Sequence, residues 1–373
     1  MGIYNRILRP LAFQCDAELL HNLAIGVAER ASASSLLCAS LGARYVRDYE
    51  RLQCTVAGLH FRNPLGLAAG YDKNARGTPL WAALGFGHIE IGSVSADPSV
   101  GNPKPRLWRI PEDRGLIVNY GLPNEGAECV ARRLSDVRLP VPLGINIVNT
   151  NHGAQAPPAS DEAIVEDYVR SIRRLHAYAG YLMLNLSCPN TADGRGFVSS
   201  ASRVNLLLES IREAAPAKPV FLKVAPFANP RALEAFLEQV DRVPIIRGFG
   251  INMPPGKPAP LTTSAERLRS MPGGVSGQPC QEIMDRAGAD LYRRMDRKRY
   301  AIIGTGGVFD AAAAYRKIRL GASLVQFLTA LVYEGPGVVR RIADGLAELL
   351  ARDGFGHVSE AVGVDIAPVG ARV

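Results

Sequence analysis

Leu65-Gly66-Leu67-Ala68-Ala69-Gly70-Tyr71-Asp72-Lys73 decides the architecture. Its apolar half reads as a short strand buried on both faces, and it breaks at a glycine into charged side chains. Working outward, the pattern recurs at His88 to Gly92, Pro142 to Ile147, Leu182 to Leu186, Val220 to Val224, Gly248 to Asn252, Ala301 to Gly304 and Leu324 to Leu328. Amphipathic patterns lie between these runs. In Glu162 to Tyr178, for example, Ile164, Val165, Tyr168, Ile172 and Leu175 recur at helical spacing. Such a succession of strand–helix units predicts a (β/α)8 TIM barrel, an α/β fold whose chemistry sits at the C-terminal ends of the strands.

Those ends are polar. The first strand runs on to Lys73 and the second to Ser93; Asn146, Asn185 and Lys223 lie in the third, fourth and fifth, and Asn252 ends the sixth. Gly306-Gly307 follow the seventh and Thr329 the eighth. Loops at these last two positions commonly bind phosphate through backbone N–H groups, whereas a glycine pair elsewhere is as often a tight turn. Amides inside a barrel mouth need a polar ligand to satisfy them. Lys73 and Lys223 suit an electron-rich ring or an anionic substrate, or a structural ion pair. Two longer interruptions, Ser93 to Asn124 and Asn190 to Ala201, are expected to form active-site loops.

The 373 residues exceed the roughly 250 of a typical barrel. The excess is at the start, so we expect a helical extension over 1–55 and a barrel over 56–373. Asp16 is placed to cap a helix in which Leu19, Leu20, Leu23 and Val27 share a face. Periodicity alone favours packing of that face on the barrel over contact with a membrane. Hydrophobic residues at 47% and charged residues at 21% exclude a disordered chain. Cys15, Cys38, Cys54, Cys129, Cys188 and Cys280 form no C-x-x-C pair, which points to a reducing compartment. No secretory leader is read, and no apolar run reaches the roughly 20 residues of a membrane span. The net charge of +8 comes without an aromatic-basic motif, so anionic lipid or a solvated basic surface is preferred to nucleic acid. No metal-ligand spacing is read.

Asn63-Pro64-Leu65-Gly66-Leu67-Ala68-Ala69-Gly70, Gly85-Phe86-Gly87, Glu90-Ile91-Gly92-Ser93, Gly101-Asn102-Pro103-Lys104-Pro105-Arg106 and Gly321-Ala322-Ser323-Leu324-Val325-Gln326 together resemble the dihydroorotate dehydrogenase family. The match runs along nearly the whole chain, and the helical extension resembles the quinone-dependent, membrane-associated class 2 branch. The resemblance implies FMN held by Ala68, Ala69, Gly70, Lys73, Ser93, Asn146, Asn185, Lys223, Ser276, Gly277, Gly306, Gly307 and Thr329. It implies a substrate met by Lys73, Val118, Leu122, Asn185, Asn190, Asn252 and Met253, and a quinone faced by Arg109. It also implies a peripheral position on the cytoplasmic side of a membrane, or in the cytoplasm.

The implied reaction oxidises a C–C single bond beside a carboxylate or amide: hydride goes to flavin N5 and a side-chain base takes the neighbouring proton. The base position is Cys188, where class 2 members carry serine. A thiol, with a reference pKa of about 8.5, needs less activation than a hydroxyl. The other five cysteines read as structural.

Several substrate positions depart from the family. Its I-N-R-Y-G-F-N run reads Ile117-Val118-Asn119-Tyr120-Gly121-Leu122-Pro123, and N-T-T after the sixth strand reads Asn252-Met253-Pro254. G-K-N after Asn146-Ile147 has become Val148-Asn149-Thr150, and the loop after Thr191 lacks G-L-R. Each unmet buried polar group costs about 1–3 kcal/mol. We therefore expect an FMN-dependent dehydrogenase that acts on a substrate other than dihydroorotate, with quinone as the acceptor. Authentic dihydroorotate dehydrogenase is the alternative, followed by a non-redox lyase using Lys223 as a Schiff-base nucleophile and by a barrel that only binds a phosphate ligand.

Overall fold

The structure is a computed structural model that describes residues 4–153, 155–188, 190–191, 196–214, 217–258 and 260–367. Every expected strand is present: β1 (Leu65–Leu67), β2 (His88–Val94), β3 (Leu143–Ile147), β4 (Tyr181–Asn185), β5 (Val220–Val224), β6 (Ile246–Ile251), β7 (Ala301–Gly304) and β8 (Ala322–Phe327). Each pairs in parallel with the next and β8 returns to β1, closing the barrel. The boundaries differ from the expected ones by a residue or two at most strands, as hydrogen-bonding assignments commonly do. The strands are buried on both faces because helices cover the outside; Asp161–Leu175, for example, buries the expected Ile164, Val165, Tyr168, Ile172 and Leu175. A hairpin of Cys54–Val56 and Leu59–Phe61 precedes β1, and the Phe61 ring meets His88 edge-on at 5.4 Å.

The extension contains α1 (Ala17–Ser32) and α2 (Ser35–Tyr45). Asp16 caps α1 as expected, its Oδ1 accepting the Leu19 N–H at 2.8 Å. The expected packing of the Leu19 face does not occur. Leu19, Leu23 and Val27 are 64%, 58% and 54% exposed, and it is Ala17, Glu18, Ile25 and Ala28 that are buried. Helical periodicity identifies an apolar stripe but not what covers it, and here the contact with the barrel runs along a different side. Among the described residues no helix is long and apolar enough to cross a membrane.

The interruption after β2 is not only loop. Leu107–Ile110 and Gly115–Val118 form an antiparallel pair, and Gly274–Gly277, from far along the chain, completes a three-stranded sheet. Its register places Arg109, Leu116 and Ser276 side by side across the strands, with Leu107, Val118 and Gly274 in the next such row. Side chains alternate faces along a strand, so both rows share one face.

Candidate active site

That face is the wall of a cavity of about 960 Å³ running from the barrel mouth to the extension. Ala69, Gly70, Lys73, Ser93, Asn185, Cys188, Lys223, Asn252 and Ser276 line one end; Leu20, Leu23, Val27 and Leu37 line the other, with Arg109 and Val118 between. Asn190, Leu122 and Met253 also reach this wall. A second cavity of about 130 Å³ adjoins it at Lys223, Asn252, Met253 and Ser276, and is lined by Ala68, Ala69, Gly277, Gly306, Gly307 and Thr329. Of the residues expected at the site, Asn146 alone lies on neither wall. The missing G-L-R falls on 192–195, outside the described residues.

The strand-end amides form a chain of hydrogen bonds with a single direction. Asn252 Nδ2 donates to Asn185 Oδ1 (3.2 Å), Asn185 Nδ2 to Ser93 Oγ (3.3 Å) and Ser93 Oγ to Asn146 Oδ1 (2.6 Å). Asn146 Nδ2 then donates to Glu90 Oε1 at 2.9 Å. Asn146 is thus fully buried behind Ser93, with both amide atoms engaged. Ser187, beside Cys188, is held by donation from its N–H to Asn185 Oδ1 (3.3 Å) and from its hydroxyl to Lys223 O (3.2 Å). Cys188 itself is buried yet borders the cavity.

Two glycines after β7 border the smaller cavity. Gly306 and Gly307 have φ of +84° and +74°, which only glycine adopts at little cost, and a Cβ on Gly306 would lie 2.6 Å from Met284 Cγ. Ser276 Oγ and Thr329 Oγ1 stand 3.2 Å apart at its edge. A glycine pair after the seventh strand and two hydroxyls suit a phosphate, and the amides and Lys223 next door suit a heteroaromatic ring rich in acceptors. The residues present therefore fit FMN.

Lys73 is half-buried; its Nζ donates to Gly70 O at 2.9 Å and sits 4.0 Å from the centre of the Tyr120 ring. Burial pushes its pKa down to about 8, with Glu18 opposing the shift and Arg106 adding to it. His21, on α1, packs edge-on against Tyr71 at 5.3 Å, and burial with the nearby Lys73 charge lowers it to about 3, so it is neutral near pH 7. Arg109 donates to Cys15 O at 2.8 Å and lies 4.8 Å over the Phe13 ring, which ties the extension to the three-stranded sheet. Leu122 reaches the wall with φ of +63°, a conformation that costs a side-chain-bearing residue about 1–3 kcal/mol.

Sequence reasoning missed Glu90, His21, Glu18 and Arg106 as contributors. Glu90 had a signal, as the one acid in its strand and as a member of a motif that carries the resemblance. Arg106 also stood in such a motif, but its pairing with Glu18, 88 residues away, had no signal.

A closed barrel whose mouth gathers a row of oriented amides, a pair of glycines and an apolar passage to its surface is the architecture the comparisons with known proteins identify. A family model for dihydroorotate dehydrogenase matches residues 51–350. The chain is 38% identical over 371 residues to the dihydroorotate dehydrogenase (quinone) of Natronomonas pharaonis, covering 98% of this chain and 100% of that one. It is 41% identical over 370 residues to the protein of that name from an Anaeromyxobacter species, covering 96% of each. The ferulenol complex of DHODH from Eimeria tenella superposes with a TM-score of 0.79 at 27% identity, over 94% of this chain and 96% of that one. The chain belongs to the dihydroorotate dehydrogenase family, in its quinone-dependent class 2 branch, and is an oxidoreductase acting on CH–CH groups. This displaces the alternatives of a Lys223 lyase and of a barrel that only binds phosphate.

Proposed function

We propose that this protein oxidises dihydroorotate with FMN and passes the electrons to a quinone. The observation that carries this reading is the continuous cavity, which joins the oriented amides and Cys188 at one end to the apolar side chains of α1 and α2 at the other. The names of the relatives favour dihydroorotate over the different substrate expected from the sequence. Bound FMN would supply hydride acceptance. Gly306, Gly307 and Thr329 hold its phosphate, and Lys223 and Asn185 meet its ring. Lys73, Asn190 and Asn252 orient the substrate, and Cys188 removes the proton. Arg109 and the extension, residues 1–55, receive the quinone.

Anaerobic mixing with L-dihydroorotate, followed by a quinone, tests the reading: the flavin bleaches and its colour then returns. Failure to bleach sinks it. A second reading, a less polar cyclic acid or amide, is favoured by Val118, Leu122 and Met253 on the cavity wall, where apolar atoms replace amides and a hydroxyl of the family pattern. Under that reading dihydroorotate bleaches the flavin slowly and a less polar analogue does so quickly.

Peripheral membrane contact belongs to the same proposal. Ile7, Leu8, Leu11, Leu19, Leu23, Val27, Leu36 and Leu37 are all exposed in the extension, and among the described residues only Val100 and Val364 match them elsewhere. Such a concentration of exposed apolar side chains marks an interaction surface.

A further inference from the structure

Glu90 lines neither cavity and is 0% exposed, yet donors converge on both oxygens of its carboxylate. Oε1 accepts from Asn146 Nδ2 at 2.9 Å and faces Lys223 Nζ at 3.5 Å. Oε2 accepts from Tyr181 Oη and from Gln326 Nε2, each at 3.0 Å. An ionised carboxylate only accepts and offers about four lone-pair sites, so this shell of donors suits the charged form.

The charge has two consequences for the site. It fixes the direction of the amide chain: an Asn146 amide that gives its N–H to Glu90 must turn its oxygen to Ser93. Ser93 then accepts from Asn185, and Asn185 accepts from Asn252. The charge also balances Lys223, whose side chain borders both cavities and whose ion-pair partner, among the described residues, is Glu90.

We propose that Glu90 is a positioning residue for the redox centre, setting through Lys223 and Asn146 how much positive charge the flavin experiences. The inference rests on the FMN reading above. It has a sign. A reduced flavin carries more negative charge than an oxidised one, so a nearby cation favours reduction and an offsetting anion opposes it. Glu90→Gln removes the offset and raises the reduction potential. Tyr181→Phe keeps the carboxylate but strips one donor from it, exposing more of its charge, and lowers the potential.

The test is equilibration of the FMN-loaded wild type and variants with a reference dye under anaerobic conditions. We expect at least a tenfold shift toward reduced flavin for Glu90→Gln, about 30 mV for a two-electron couple, and a smaller opposite shift for Tyr181→Phe. In a Lys223→Met background the Glu90→Gln shift shrinks, because the two act as a pair. If Glu90 is only a core strut, the variants lose thermal stability while their potentials match wild type, and the proposal is overturned. If Glu90→Gln fails to retain FMN, Tyr181→Phe decides: a lowered potential supports the proposal and an unchanged one overturns it. A wild type that binds no FMN overturns the parent reading, and this inference with it, before any variant is made.

Discussion

Arg106 holds the Glu18 carboxylate in a fork, with Nη2 2.8 Å from Oε1 and Nε 3.2 Å from Oε2, and both side chains are buried. The remaining nitrogen, Nη1, donates to Val100 O at 2.6 Å and to Asn102 O at 2.9 Å. Asn102 Nδ2 in turn donates to Asn190 O at 3.1 Å. The extension is thereby tied to the loop beyond Cys188 through three residues. Removing one partner of a buried pair strands the other, at a cost of about 3–5 kcal/mol, whereas replacing both with apolar groups is far milder. Glu18→Ala should lower the melting temperature markedly, and Glu18→Leu with Arg106→Met should restore most of it. Equal melting temperatures for Glu18→Ala and wild type would contradict the fork.

Cys188→Ala should keep FMN bound and slow substrate-driven flavin bleaching by about 10² to 10⁴-fold, the usual contribution of a positioned base. Cys188→Ser should lie between, with its optimum at higher pH, because a hydroxyl releases its proton less readily than a thiol. Stopped-flow absorbance reads both. Bleaching by the alanine variant at the wild-type rate would remove Cys188 from the chemistry.

A side chain at Gly306 would have to adopt φ of +84° and displace Met284. Gly306→Val should therefore weaken FMN retention by tenfold or more, since the left-handed conformation alone costs about 1–2 kcal/mol. Gel filtration followed by the flavin-to-protein absorbance ratio measures the loss. An undiminished ratio would place the phosphate elsewhere.

Lys73 gives a pH prediction. With its pKa lowered to about 8, it is a cation below that pH and neutral above it. For an anionic substrate, kcat/KM should fall as pH rises through about 8, and Lys73→Met should lack that falling limb and sit about 10 to 100-fold lower on the plateau. The same shift acts on folding. Between about 8 and the ordinary lysine value of 10.5 the unfolded chain keeps a proton that the folded one has released, so Lys73 makes stability rise with pH across that window. A falling limb that persists unchanged in the methionine variant would assign it to another group.

Leu19 and Leu36 are exposed and lie off the cavity wall. Leu19→Ser with Leu36→Ser should reduce co-sedimentation with lipid vesicles, while melting temperature and flavin bleaching hold, since surface changes cost no more than about 0.5 kcal/mol each. Undiminished sedimentation would mean that these side chains do not meet the bilayer.

The barrel was readable because its evidence is local. A strand buried on both faces must be apolar throughout, and the polar residue that ends it advertises the mouth. Lys73, Ser93, Asn185, Lys223 and Asn252 all followed from that rule and do converge. The three-stranded sheet did not follow, because its strands are four residues each and the third comes from Gly274–Gly277, too short and too distant for any periodicity to register. The exposure of the Leu19 face was likewise unreadable: a stripe of leucines has the same spacing whether it meets protein or lipid.

That sheet has a consequence for how such an enzyme diversifies. Arg109, Leu116 and Ser276 are neighbours on three adjoining strands and all border the cavity. A substitution that shifts the middle strand to suit a new substrate at Val118 therefore carries the two flanking strands with it. Under the proposed function, in which Val118 meets the substrate and Arg109 the quinone, a lineage that alters what is oxidised should accumulate compensating changes along the strand that faces the electron acceptor.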